Sequence, residues 1–334
     1  MQTPNIETKI LPPPPGIIGS LRAGFDVTAG HITAILFPVL LDLFLWLGPR
    51  LSVDKLVQPA LDYMQTALPT NSGLQPADVT TMMTMYRQAF KAFNLLALLR
   101  TFPVGVSSII SGRLPGLTPI GVPAILQVSS YVSLVGLIFL VIVIGWICGG
   151  FYFRWVAGLV SPETTPSISR TVLQTLFFSV LWVAVLWILG LPVVFTITLI
   201  FMFNSIVGEV VLVVLAFISM WLIVPVFFSP HGIYIKSQNT FASVLGSFQL
   251  ARFTLPTSSL FILTIFLLGY ASNFLWTIPT VDSWLTVVGI LGHAFVTTAL
   301  LAASFKYYQD MTAWLQTVLA RLRNGMPANP VNPA

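Results

Sequence analysis

The chain holds 334 residues, 56% of them hydrophobic and only 7% charged, with a formal net charge of +5. A soluble domain covers itself with about 25% charged residues, so an aqueous globular fold is excluded and a bilayer is the solvent that fits. The thin excess of Lys and Arg forms no aromatic-interleaved basic run, which excludes a nucleic-acid surface and suits anionic lipid headgroups.

Residues 1–30 read as a cytoplasmic tail and interfacial lead-in. The start lacks the basic and apolar regions of a cleavable signal, and Pro12 to Pro15 cannot begin a helix. A spanning helix needs about 20 apolar residues to cross roughly 30 Å of hydrocarbon. The first such run is 31–49, which contains Asp42.

Residues 50–124 form a non-membrane insert, expected outside. Within it, Pro76 followed by Val79, Met82, Met83, Tyr86, Phe90 and Phe93 predicts an amphipathic helix over 76–100. A weaker helix covers 53–67, bent at Pro59. Four prolines and four glycines make 101–124 an ordered loop.

The second span is 125–153, which holds the single cysteine, Cys148; one thiol excludes an internal disulfide and a cysteine-clustered metal site. An inner linker follows at 154–170. The third run, 171–203, is overlong and interrupted at Gly190-Leu191-Pro192, either one kinked helix or a span plus a re-entrant piece. Further spans fall at 211–229, 255–278 and 283–305. Between them lies an inner amphipathic segment at 230–254. An interfacial helix at 306–325 carries a stripe of Tyr308, Met311, Trp314, Leu315, Val318, Leu319 and Leu322. Residues 326–334 are a tail.

The charges set the orientation. Inner segments collect Lys9 and Arg22, Arg154 and Arg170, Lys236 and Arg252, then Lys306, Arg321 and Arg323. The short outer loops hold Glu209 and Asp282 and no Lys or Arg. A seventh crossing would put Lys236 and Arg252 outside. The expectation is an all-α polytopic transmembrane bundle of about six spans with amphipathic interfacial helices. It sits in the plasma membrane with both termini cytoplasmic. Ser-led stretches before the odd-numbered spans, and Phe-Leu-Trp at 44–46 and 274–276, suggest three hairpins built on one plan.

The lead-in FASVLGSFQLARFTLP (241–256) and the close of the second span in Gly-Phe-Tyr-Phe-Arg-Trp (150–155) resemble poorly characterised six-span bacterial membrane families. These include the membrane domain found on some glycerophosphodiester phosphodiesterases. The resemblance implies a six-span membrane architecture and carries over no catalytic residue. The 75-residue insert departs from the compact members.

Charged or titratable side chains deep in a membrane are costly, and each is a functional candidate by default. Asp42 and His293 share an expected depth near the midplane, where a facing carboxylate and imidazole would relay a proton or hold a cation; the alternative is that Asp42 only fixes helix packing. Glu209, at the mouth of the fourth span, is a weaker candidate, and His31 and His231 read as interface residues. No metal-ligand spacing, phosphate loop or nucleophile–base pairing is present, so no cofactor and no catalytic residue is assigned. Two functions stay open. One is a non-catalytic membrane subunit or scaffold holding protein partners through the 50–124 insert. The other is a permease or channel for a small solute or lipid, with Asp42 and His293 near the path.

Overall fold

The computed structural model describes residues 13–72, 75–113 and 116–325, so the expected tails at 1–12 and 326–334 lie outside the described residues. Helix α1 (Ile17–Gly30) buries a face of small residues, Ser20, Gly24 and Thr28. A side chain at Gly24 would run into the backbone of Ala299 and Ala303, so glycine sets the closeness of this contact. At His31 the chain bends by 96° into a short 3-10 turn (Ile32–Ile35) and α2 (Leu36–Leu47). The span expected at 31–49 is therefore the second limb of a bent pair.

The insert is pinched shut at its base. Strand β1 (Arg50–Ser52) pairs in parallel with β2 (Ile125–Gln127), Leu51 opposite Leu126. Between them α3 (Asp54–Ser72) and α4 (Pro76–Ala92) form a hairpin around Leu61, Val79 and Met83. Proline suits the first turn of α4 because its missing N–H has no helical partner there. The helix expected over 76–100 stops at Ala92. Beyond it the Asn94 side chain accepts from Leu96 N at 3.1 Å and from Leu51 N at 3.1 Å, starting a separate 3-10 turn over Leu95–Leu99. Such local bonds compete with helix continuation.

The span expected at 125–153 is displaced for the same reason: strand pairing takes 125–127, and α5 (Tyr131–Val160) starts where the Ser130 hydroxyl accepts from Ser133 N. Much of the expected linker at 154–170 is thereby helix. After α6 (Ile168–Val185), a π-helical turn at Leu186–Gly190 leads directly into α7 (Leu191–Phe203), so the interrupted run is one continuous helix of 36 residues. The wide turn absorbs the missing N–H of Pro192. Asn204 then caps α8 (Ser205–Phe228), accepting from Ile206 N and Val207 N. The short α9 (His231–Ile235) follows.

Two long helices complete the bundle, α10 (Thr240–Trp276) and α11 (Thr286–Gly325), of 37 and 40 residues. The amphipathic segments expected at 230–254 and 306–325 are thus not separate pieces; most of the first and all of the second continue these helices. Arg252 is exposed, and Lys306 pairs with Asp310 at 2.8 Å. Charges mark where hydrocarbon ends, not where the helix ends. The stripe assigned to a membrane surface is also partly covered by protein: Tyr308 and Met311 belong to the main core, with Trp314 and Leu315 packed on it.

Five helices are long and apolar enough to cross a membrane, six with the bent pair. The all-α multi-pass architecture is therefore as expected. The main core gathers Tyr152, Phe178, Phe228, Phe261, Phe305 and Tyr307. One part stands apart from it. Over 186–223, spanning α7 and most of α8, only Gly208 is buried, and Trp187, Phe203 and Trp221 are more than half exposed. Apart from Glu209 this stretch carries no charge, and an exposed apolar surface of that extent suits a lipid or protein contact.

Candidate functional site

From Leu99 the chain leaves the insert and enters the bundle. Val104 and Val106 are 0% and 3% exposed and join the main core beside Tyr152 and Phe178. Two glycines on α5 make the room. A Cβ on Gly145 would sit 2.7 Å from Leu99 O, and one on Gly149 would sit 2.6 Å from the Cα of Gly105. The loop's tip is placed by its contact with α11. The Ser107 hydroxyl donates to Thr297 Oγ1 at 2.8 Å, and Thr297 lies eleven residues from the start of that helix, about 16 Å along it.

Residues 100–113 therefore form an irregular loop that packs inside the helical bundle. Irregular backbone in such a place survives only where protein or water satisfies its polar groups. Here Trp146 Nε1 donates to Phe102 O at 3.1 Å, and the Thr101 hydroxyl donates to Val104 O at 2.8 Å.

Asp42 is the latch of this loop. Fully buried, its Oδ1 accepts from the Ser108 hydroxyl at 2.5 Å and from Ile110 N at 3.1 Å, while Oδ2 accepts from Ile109 N at 3.2 Å. Three donors converge on one carboxylate from the returning limb. His293 takes a different partner: its Nδ1 donates to Asn273 Oδ1 at 2.8 Å. The direct Asp42–His293 pair considered from sequence is not formed. The two connect only through the loop, where Ser107 bonds Thr297, which in turn donates to His293 O at 2.8 Å.

The remaining candidates separate. Glu209 is exposed near the start of α8, and His31 is exposed with Nδ1 on Val27 O at 3.2 Å. His231, expected at an interface, is instead buried in the core, with Nε2 2.9 Å from Ser304 Oγ. Among the described residues, no three His, Cys, Asp or Glu gather as a metal site requires.

The loop forms one wall of a cleft of about 580 Å³, and α8, α10 and α11 supply the others. Phe102, Pro103 and Ser107 line it from the loop, with Arg100 also on the lining. Asn273, His293, Thr297, His231 and Ser304 supply further polar groups. Aliphatic and aromatic side chains such as Val226, Phe227, Ile265 and Leu300 fill the rest. The rim residues Phe266 and Tyr270 are 60% and 79% exposed on α10, so the cleft opens sideways. Its volume and its mixture of apolar wall and few polar groups are those of a small-molecule site. A smaller pocket on the insert side, of about 260 Å³, is lined by Arg50, Asn94, Ser111 and Arg113 among others. Burial pulls both of these guanidinium groups below the ordinary arginine pKa.

Sequence reasoning missed Arg100, Ser107, Ser108, Asn273 and Thr297. One signal was present: TFPVGVSSIISG (101–112) contains no charged residue, which is unusual for a loop facing water. The other was the glycine pair 145 and 149, four apart on one helix face.

Fold and site together define an all-α multi-pass bundle with an irregular loop packed inside it and a cleft between its helices. No family model, curated protein or solved structure matches the chain. The likeness to phosphodiesterase membrane domains rests on the quoted segments alone.

Proposed function

We propose that this chain is a multi-pass plasma-membrane protein that binds or passes a small amphiphile through its lateral cleft, without catalysing a reaction. The insert faces outward and both termini face the cytoplasm, supported by the Lys and Arg bias of the short loops. The observation that carries the reading is the irregular loop inside the bundle, latched by Asp42 and walling a cleft between helices, which we read as a re-entrant loop beside a lipid-accessible site. A scaffold needs no such loop, whereas a binding site does: irregular backbone at membrane depth is kept where it lines a cavity. Asp42 enters this function as the residue that positions the loop, and His293 as a lining group.

The test is photolabelling in proteoliposomes with a diazirine-bearing lipid, followed by mapping of the modified peptides. Label should concentrate on 223–231 and 265–273. Leu300→Trp, which fills the cleft from α11, should remove that label and spare the label on α7. Uniform labelling of all lipid-facing helices, unchanged by Leu300→Trp, would overturn the proposal.

A further inference from the structure

The cleft's polar end has a particular chemistry. Arg100 is exposed at its mouth, and its recorded side-chain bond is a long one, Nη1 to Ser111 Oγ at 3.4 Å. Among the described residues it forms no ion pair, its charge acting only through space on Asp42 behind the loop, and no Asp or Glu lines the cleft. A single cation in an otherwise neutral and largely apolar cleft favours an anion.

His293 adds a second requirement. It is 3% exposed, and because Nδ1 donates to the Asn273 amide oxygen, Nε2 of the neutral ring carries a lone pair. That Nε2 is buried and has no hydrogen-bond partner. Buried polar atoms are nearly always satisfied; Nε2 of His293 and Nδ1 of His231 on the same lining are not, and a small rotation of the His293 ring toward the cavity would let a donor from outside the protein reach Nε2. His293 and Arg100 line the same cavity.

Resting on the proposed function above, we infer that the occupant is an amphiphile whose anionic head also bears an O–H. The anion meets the Arg100 guanidinium, the hydroxyl donates to Nε2 of His293, and the apolar tail leaves between α8 and α10 past Phe227 and Phe266. A phosphate diester with a free hydroxyl has this chemistry as a membrane lipid. An ionised hydroxy fatty acid offers it as a free amphiphile.

Competition against the diazirine lipid, with full-length protein in proteoliposomes, separates these features. Four competitors of matched chain length serve as probes: phosphatidylglycerol (anionic, with hydroxyls), phosphatidylmethanol (anionic, without), phosphatidylcholine (zwitterionic), and a free hydroxy fatty acid. Phosphatidylglycerol should compete best, about tenfold better than phosphatidylcholine, as expected of one hydrogen bond to a charged group. Arg100→Gln should erase that tenfold difference, and Arg100→Lys should restore much of it. His293→Leu should erase the preference of phosphatidylglycerol over phosphatidylmethanol while keeping the preference for anions. Stronger competition by the fatty acid than by phosphatidylglycerol identifies the free amphiphile as the source. Equal competition by all four, unchanged in Arg100→Gln, overturns the headgroup inference and leaves the cleft as a general apolar site. Absence of cleft labelling in the unmodified protein removes both proposals together.

Discussion

Asp42→Asn is the sharpest perturbation of the loop, because it keeps shape and changes only charge and donor pattern. With the amide oxygen kept on Ser108 Oγ and Ile110 N, the new NH₂ group points at Ile109 N, and two donors face each other. One buried N–H loses its acceptor, at about 1–3 kcal/mol, and the two surviving bonds lose their charge assistance. The expected loss is about 2–4 kcal/mol, a large fraction of the 5–15 kcal/mol typical of a folded domain. Asp42→Ala leaves all three donors without an acceptor and should cost more. Denaturant unfolding in mixed micelles measures the loss, and hydrogen exchange at Ile109 and Ile110 localises it. If Asp42→Asn changed neither stability nor exchange over 105–113, while cleft labelling collapsed, the latch reasoning would be refuted and a direct role for the carboxylate reinstated.

Gly149→Ala should destabilise by about 1–3 kcal/mol through overpacking, because the added methyl meets backbone at Gly105 rather than a movable side chain. Gly190→Ala, with nothing within 4 Å, should cost nothing in the same assay. Met311→Ala should lower stability by about 2–5 kcal/mol, as for a core cavity, whereas Leu322→Ala, 52% exposed, should stay within about 0.5 kcal/mol. A membrane-surface role for the 306–325 stripe would give the two similar effects. A cysteine at exposed Ala60 in a Cys148→Ser background should react with an impermeant thiol reagent in intact cells, and one at Gln2 should not. The reverse pattern would invert the proposed orientation.

The spans were legible because hydrocarbon tolerates few charges, and the scarcity of Lys, Arg, Asp and Glu marks each crossing. Helix ends were not, since the Lys306–Asp310 pair and exposed Arg252 let α11 and α10 run on past the apolar core. Asp42 stood out as a buried acid, yet its partners lie 66 to 68 residues away along the chain, a separation periodicity does not report. The loop escaped because Pro103, Pro115, Pro119 and Pro123 signal irregular backbone without saying where that backbone goes. His231 was misjudged for a related reason: a position at a helix entrance gives no sign that Phe227, Phe228, Phe305 and Tyr308 close around it.

On the proposed function, the opening past Phe266 and Tyr270 would change what concentration means for this protein. A molecule arriving through the bilayer searches a plane rather than a volume, and its supply is a mole fraction among lipids. Occupancy would then follow the composition of the surrounding leaflet, insensitive to aqueous dilution and responsive to whatever lipid the cell makes in excess. The hairpin of α7 and α8, apolar over nearly its whole surface, extends the lipid-wetted border from which that search reaches the cleft.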